Sequence, residues 1–248
     1  MKLRLNCYRA IAATALTTIS VTSQVTASYG ITFVTQSNIL GDNDQLDWSS
    51  LGVAFPFKVL PNEFGATSSR GLKLNVDIPK SNVPGVTPPL VFQTLPPPGI
   101  ATNFAAGDFL LFTGLNPQTF PAVGNPGPLS ITFNKPVQAV GTQIAVDDTF
   151  NFTAFISAFD SENNLLGSFS APGTSSLNLD NSALFLGVKS DTANIARLVF
   201  STSENNRAFA INKLRLKTVP EPSLVLGVYA LGTLSMIFTV KGKLKPVR

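Results

Sequence analysis

Short segments in which apolar and polar residues alternate with a period of two, or in which a short apolar run is bounded by turn residues, recur along the central chain. The alternation is clean at residues 129–133 and 150–156, whereas residues 28–218 carry no convincing apolar stripe with the 3.6-residue period of a helix. Successive side chains of a β-strand point to opposite faces, so a period of two indicates strands with one buried face. The central chain is therefore predicted to be all-β.

Eight segments show this alternation, or a short apolar run bounded by turn residues. In chain order they are YGITFVTQSNI, PLSITF, PVQAVGTQIAV, FNFTAFISAF, LLGSFS, LFLGVKS, NIARLVFS and AFAINKLRLK. The turn sequence DSENN at 160–164 predicts a hairpin between the fourth and fifth segments. The 19 phenylalanines suit the space between two packed sheets, because phenylalanine has no polar atom to satisfy there. Together these features predict an antiparallel β-sandwich.

Proline is concentrated in one stretch of the predicted domain. Residues 79–128 hold 11 of the 18 prolines. Proline removes a backbone donor and interrupts central strands, so this stretch is predicted to form long loops with edge segments at LVFQ and DFLLF. A single interrupted domain over 28–218 is favoured over two domains, because neither part alone has enough strands to close a sandwich.

The positive charge of the chain is concentrated at its two ends. Seven of the 18 basic residues lie within residues 2–9 and 241–248, which leaves 11 basic and 14 acidic residues between them. The body is therefore mildly acidic. A nucleic-acid-binding protein needs a basic surface to neutralise phosphates, so no nucleic-acid partner is predicted.

Cysteine and histidine are almost absent. Cys7 is the single cysteine and there is no histidine in the chain. Disulfides within the body, thiolate nucleophiles, imidazole bases and Cys/His zinc sites all need these residues. Those chemistries are excluded by composition.

The N-terminus has the three regions of a secretory signal. Lys2, Arg4 and Arg9 precede an apolar or small-residue run at 10–21, and the small-residue pattern at 25–27 suits cleavage before Ser28. Residues 1–27 are therefore predicted to be a signal peptide with a helical apolar region. The alternative is an amphipathic first helix of the domain, but the run has no charged face.

A second apolar run lies near the C-terminus. Residues 224–240 would form roughly 26 Å of helix, slightly less than the ~30 Å core of a bilayer. Glycine, serine and threonine dilute the run, so it is predicted to be a marginal transmembrane helix. The lysines and arginine of 241–248 would hold its end on the cytoplasmic side.

The residues directly before this run complete a recognisable pattern. Val219, Pro220, Glu221, Pro222 and Ser223, followed by a weak membrane segment and a basic tail, resemble the PEP-CTERM sorting signal of bacteria. The two prolines fix φ and prevent the membrane helix from extending backwards. The alternative is a rigid linker above an ordinary single-pass anchor.

The resemblance implies a route and a set of partners. Residues 219–248 would be read by an exosortase-type processing enzyme while the chain is transiently in the inner membrane, and the body would then reach the cell surface or extracellular matrix. Residues 100–216 more loosely resemble the jelly-roll-like or carbohydrate-binding sandwiches found ahead of such tails. That similarity implies a non-enzymatic, polysaccharide-associated protein.

The stretch GDNDQLDW is the most suggestive part of the body for binding. Asp42, Asp44 and Asp47 offer oxygen ligands for Ca²⁺, although the spacing departs from that of an EF-hand loop. Trp48 and Tyr29 could stack on a sugar ring. The alternative is an Asx-rich turn that leads into a strand with Trp48 in the core.

Two other functional classes stay open at this point. A secreted carbohydrate-active enzyme would need two carboxylates facing one another across a sugar. Asp147 and Asp148 are adjacent and would point to opposite faces of a strand, and the other candidates are Asp108, Asp160, Glu162 and Asp180. A purely structural matrix protein would need no ligand site.

Overall fold

The computed structural model describes residues 30–52, 57–94, 102–119, 121–147 and 151–219. The predicted signal peptide, Tyr29 and the predicted sorting tail from Pro220 onward lie outside these residues. Within the described ranges, no helix has the length and apolar character that a membrane crossing requires.

The described residues form fifteen strands and two single-turn helical segments. The helical segments are α1 (Ser37–Leu40) and a 3₁₀ turn (Trp48–Leu51). The strands are β1 (Ile31–Val34), β2 (Asp44–Leu46), β3 (Phe57–Val59), β4 (Glu63–Thr67), β5 (Lys73–Asp77), β6 (Leu90–Gln93), β7 (Phe109–Phe112), β8 (Leu129–Val137), β9 (Ala139–Val146), β10 (Asn151–Phe159), β11 (Leu165–Thr174), β12 (Leu184–Ser190), β13 (Ile195–Thr202), β14 (Phe209–Ile211) and β15 (Leu214–Lys217).

The strands pair into two antiparallel sheets. The first sheet has the order β1-β12-β9-β14-β7-β6-β3, and β15 pairs with both β9 and β2 beside this path. The second sheet has the order β11-β10-β13-β8-β5-β4. One apolar cluster, with members from Leu46 to Leu216, draws its residues from strands of both sheets. The predicted antiparallel β-sandwich is therefore confirmed.

The second sheet shows why alternation predicted the fold. In β4 and β5 every second residue is buried, and β10 buries Phe152, Ala154, Ile156 and Ala158. These side chains face the first sheet, while the residues between them are exposed or half-buried. The ten-residue β11 at the edge of this sheet contains Pro172, a position where a missing backbone donor is tolerated.

The predicted segments contain strands, but the SNI at the end of YGITFVTQSNI lies in α1 and not in a strand. Two further differences concern the proline-rich stretch and a missed hairpin. The DSENN turn joins β10 to β11 in the expected hairpin. LVFQ and DFLLF contain β6 and β7 as predicted, but these strands are not edges, because β6 lies between β3 and β7, and β7 lies between β6 and β14. The hairpin of β4 and β5 was not predicted.

The first sheet is covered on its outer face as well. Phe104 packs on one part of that face with Phe92, Phe112 and neighbouring alanines. Leu40 of α1 packs on another part with Val34, Ala139 and Phe185. β9 is consequently buried on both faces along most of its length, and a space open to solvent lies between the two coverings.

The strand predicted from AFAINKLRLK is divided in two. β14 pairs with the second half of β9, and β15 pairs with its first half. The division falls at Asn212 and Lys213. It lies under the opening between the two coverings.

Candidate functional site

A polar cleft of about 220 Å³ lies at the break between β14 and β15. It is bordered by Ser37 at the start of α1 and by Ala105 in the segment that carries Phe104. Its larger polar side chains are Asp108, Gln143, Asn181, Asn212, Lys213 and Arg215. The cleft therefore combines one carboxylate, three amides and two cations on a rigid sheet.

Phe185 provides an apolar wall of this cleft. Its ring lies against Gly141 of the neighbouring strand, where an added Cβ would come within 2.6 Å of the ring edge. The glycine is therefore needed for the ring to lie close to the sheet. The cleft thus has an apolar surface next to its polar groups, as ligand sites generally do.

The amide side chains form a continuous hydrogen-bonded row. Asn212 Nδ2 donates to Asp108 Oδ2 at 2.7 Å and to Gln143 Oε1 at 3.2 Å. Gln143 Nε2 in turn donates to Asn181 Oδ1 at 2.9 Å. These bonds hold the four side chains in one arrangement before any ligand arrives.

Asn212 is fixed by its own backbone and side chain. Its carbonyl oxygen accepts hydrogen bonds from Trp48 Nε1 and from Thr142 Oγ1, both at 2.8 Å. Its Oδ1 accepts from the backbone N–H of Lys213 at 2.7 Å. Asn212 therefore shapes the break between the strands and also orients the row of amides.

Asp108 retains an unused oxygen. Its Oδ2 accepts from Asn212 and from the backbone N–H of Ala105 at 3.1 Å. Within the described part of the chain, Oδ1 has no hydrogen-bond partner, and a carboxylate oxygen is a strong acceptor. Asp108 Oδ1 can consequently receive a hydroxyl hydrogen from a ligand.

Two of the predicted calcium ligands are instead partners of the cleft cations. Asp42 Oδ2 lies 3.2 Å from Arg215 Nη1, and Asp47 Oδ2 lies 3.8 Å from Lys213 Nζ. These pairs follow from the pairing of β2 with β15, which aligns an acidic segment with a basic one. Asp47 also accepts from the backbone N–H of Ser49 at the start of the 3₁₀ turn.

The third predicted ligand, Asp44, is buried and holds two parts of the fold together by hydrogen bonds, an arrangement called the Asp44 clamp. Its carboxylate accepts hydrogen bonds from the hydroxyls of Ser68 and Ser69 and from the backbone N–H groups of Arg70 and Gln45. Burial alone would raise the pKa of Asp44, but these four hydrogen bonds outweigh it and hold the pKa below its ordinary value. Asp44 thereby ties β2 of the first sheet to the β4–β5 turn of the second.

The predicted calcium site is therefore not assembled. Each of the three aspartates is engaged by different protein groups. In the ranges that the structure describes, no group of three or more histidine, cysteine, aspartate or glutamate residues is placed to hold a metal ion.

Trp48 is a core residue, as the alternative interpretation had it. Its side chain is fully buried, and its indole N–H is bonded to the Asn212 carbonyl. A ring in that position cannot stack on a sugar, so the predicted ligand contact is wrong for Trp48. Tyr29, the other predicted aromatic contact, lies outside the described residues.

The carboxylates named for an enzymatic site are mostly dispersed. Asp160 and Glu162 lie in the exposed β10–β11 turn, where Asp160 accepts from the backbone N–H groups of Glu162 and Asn164. Asp180 accepts from the backbone N–H of Ser182. Hydrogen bonds from Asn164 and Ser182 lower the pKa values of Asp160 and Asp180 respectively. Of the named carboxylates that the structure describes, only Asp108 lines the cleft.

Asp147 follows β9, where its backbone N–H donates to the carbonyl of Ala208 at 2.9 Å. Asp148, its neighbour in the sequence, lies outside the described residues. The structure therefore does not test whether the two carboxylates point to opposite faces.

A second, larger cavity lies where the sandwich ends. It measures about 330 Å³ and is bordered by Asp44, Arg70 and Thr218, among others. The side chain of Asn43 holds the backbone of Thr218 from both sides, with Nδ2 donating to its carbonyl and Oδ1 accepting its N–H. The last described residue, Val219, follows directly and is exposed.

Comparisons with known proteins give little beyond the fold. The chain matches no protein-family model and no curated protein. A solved structure of a DUF4465 family protein from Bacteroides caccae aligns with a TM-score of 0.35 and 12% identity, over 76% of this chain and all of that one. The enzymatically active domain of bacteriophage CBA120 tailspike protein 4 aligns with a TM-score of 0.32 and 12% identity, over 59% of this chain and 19% of that one. At these scores neither similarity bears on function.

Proposed function

We propose that this chain is an exported, non-enzymatic protein that binds polysaccharide through the cleft at Asn212. The observation that carries the proposal is the prepared row of polar groups from Asp108 to Asn181, with Asp108 Oδ1 left unbonded by the described residues. Neighbouring sugar hydroxyls both donate and accept, so a row of carboxylate and amide groups complements them. As part of the same proposal, the sandwich of this chain is of the jelly-roll-like class.

The sorting tail supplies the location in this proposal. The signal peptide would deliver the body across the inner membrane, and an exosortase-type enzyme would recognise the segment beginning at Val219. The Asn43 clamp on Thr218 supports this division, because the folded domain is firmly held up to the residue before that segment. The mature protein would then lie at the cell surface or in the extracellular matrix.

The non-enzymatic part of the proposal rests on the carboxylates. A glycosidase acid needs a raised pKa and a second carboxylate across the substrate. Asp160 and Asp180 have lowered pKa values instead. Their hydrogen bonds stabilise local turns, which is a structural role.

A glycan-binding measurement tests the proposal. The full-length chain, purified in a mild detergent, is screened on an array of bacterial polysaccharides, and the affinity for the best ligand is measured by calorimetry. We expect Asn181→Ala and Asp108→Asn each to weaken binding about tenfold, since each removes a hydrogen bond worth roughly 1–2 kcal/mol. Asn205→Ala, at an exposed asparagine that does not line the cleft, is the matched control and should bind normally. Absence of binding to every glycan, or equal affinity of all three variants, would refute the proposal.

A further inference from the structure

We infer that the cleft selects saccharides that carry a carboxylate, such as chains of hexuronic acid. This inference rests on the proposed polysaccharide binding and adds the class of sugar. It is carried by the placement of the cleft cations relative to their partners and by the unused hydrogen-bond donors of the cleft.

The cations line the cleft and their carboxylate partners do not. Lys213 and Arg215 both border the cavity, whereas Asp42 and Asp47 pair with them from outside it. Within the lining, two positive groups therefore accompany one negative group, Asp108. A ligand that brings a negative charge to the Lys213 and Arg215 side would complement the lining.

Neither existing ion pair uses the full binding capacity of its cation. The Lys213–Asp47 pair is loose at 3.8 Å, and both side chains are about one-third exposed. Exposed pairs of this kind contribute little stability, so a ligand can compete with Asp47 for Lys213. Arg215 contacts Asp42 through Nη1 alone, and its other N–H groups have no partner within the described ranges.

The geometry of arginine favours a carboxylate over a hydroxyl. A guanidinium group presents its N–H donors as a planar fork that matches the two oxygens of a carboxylate. Asn181 Nδ2 adds a further donor without a partner in the described part of the chain, while Asp108 Oδ1 is the unengaged carboxylate acceptor. The cleft thus offers mainly donors, which a ligand rich in acceptors would satisfy.

A bound uronic acid would use both sides of this arrangement. Its carboxylate would accept hydrogen bonds from Arg215 and Lys213, and one of its hydroxyls would donate to Asp108 Oδ1. Asp42 would compete with the ligand for Arg215. Removal of the Asp42 charge should therefore increase affinity for the acidic sugar.

A matched pair of probes tests the inference. One probe is a tetrasaccharide of linked hexuronic acid, and the other is the same tetrasaccharide with every carboxyl group reduced to an alcohol. Calorimetry with the full-length chain in detergent should show at least tenfold tighter binding of the acidic probe, because a charge-assisted bond is about twice as strong as a neutral one. The preference should weaken as salt is added.

The outcomes separate this inference from the proposed function. Equal binding of the two probes, or tighter binding of the reduced probe, would overturn the acidic specificity and leave polysaccharide binding intact. Failure of both probes, together with a blank glycan array, would overturn both proposals. Preference for the acidic probe supports both.

Charge variants assign the preference to the cleft. Arg215→Met and Lys213→Met should each lower affinity for the acidic probe about tenfold and change affinity for the reduced probe less than threefold. Asp42→Asn should raise affinity for the acidic probe roughly threefold. Lys73→Met, which removes an exposed cation from the second sheet, is the control. If Lys73→Met weakens acidic binding as much as the cleft variants, the preference comes from overall charge and the inference is refuted.

Discussion

Replacement of Asp44 by asparagine should destabilise the sandwich in a pH-dependent way. Asp44 is almost fully buried, and its carboxylate holds the β4–β5 turn against β2 through four hydrogen bonds. Three of these bonds end on Oδ1 and one on Oδ2. Asparagine keeps the shape and one oxygen acceptor but loses the charge, and its amino group would face the Ser68 hydroxyl.

The magnitude follows from the difference between charged and neutral hydrogen bonds. A bond to a charged group contributes about 1.5–3 kcal/mol and a neutral bond about 0.5–1.5 kcal/mol. If the three bonds to Oδ1 become neutral, and the Ser68 hydroxyl loses its acceptor, the free energy of unfolding should fall by about 3 kcal/mol near neutral pH. Asp77→Asn, at an exposed position of β5, should change it by less than about 0.5 kcal/mol.

The lowered pKa of Asp44 sets the pH range of this effect. In the unfolded chain the carboxyl takes up its proton near the ordinary value of 3.8, whereas in the folded protein it does so only at lower pH. The stabilisation is therefore fully present above that value, and it is lost as the pH falls through the folded pKa. The difference between wild type and Asp44→Asn should therefore shrink as the pH falls below this ordinary value.

Urea unfolding measures this difference directly. Trp48 is the only tryptophan of the chain and is fully buried, so its fluorescence reports the loss of the core. Unfolding curves for wild type, Asp44→Asn and Asp77→Asn are compared at several pH values with a common slope. A destabilisation below about 1 kcal/mol, or one that is equal at neutral and acid pH, would refute the clamp argument.

Two further substitutions test the packing around the site. Trp48→Phe should lower the free energy of unfolding by about 2 kcal/mol, because side-chain volume and the hydrogen bond to the Asn212 carbonyl are lost. The same substitution should change the saccharide affinity less than threefold. Unfolding followed by circular dichroism measures the stability, and calorimetry measures the saccharide affinity. A tenfold loss of affinity in a stably folded variant would show that Trp48 takes part in binding, against the argument from its burial. Gly124→Ala should cost about 3 kcal/mol in thermal unfolding, because the new Cβ would lie 2.2 Å from the backbone nitrogen of Ala208. Gly65→Ala, whose Cβ would meet nothing closer than 3.9 Å, is its control, and an equal loss of stability in both would contradict the steric explanation.

The fold was largely predictable because alternation is a local signal. β8, β10 and the β10–β11 hairpin follow from residues that are near one another in the sequence. The β4–β5 hairpin has the same signal, with Phe64, Ala66, Leu74 and Val76 buried in turn, and could have been found. The order of the strands within each sheet could not be predicted from the sequence. The density of proline indicates where loops occur, but it does not indicate which strands lie at the edge of a sheet.

The site was mostly beyond sequence reasoning because its parts come from distant segments. The sequence offers Asp108 as one of several candidate carboxylates, but Asn212, which donates a hydrogen bond to it, lies 104 residues away. The acidic segment at 42–47 suggests a cation site, because the sequence shows the charges and not their partners. Arg215, which neutralises Asp42, lies 173 residues further along the chain.

The break between β14 and β15 shows how one residue converts a strand into a site. AFAINKLRLK alternates well enough to predict one continuous strand along β9. Asn212 interrupts the regular pairing, because its side chain accepts the N–H of Lys213 and its carbonyl accepts from the side chains of Trp48 and Thr142 instead of from a backbone N–H. Its own N–H still donates to the carbonyl of Gln143 in β9. The remaining amide hydrogens of Asn212 then reach Asp108 and Gln143 across the gap. The same interruption therefore also places and orients the polar row of the cleft.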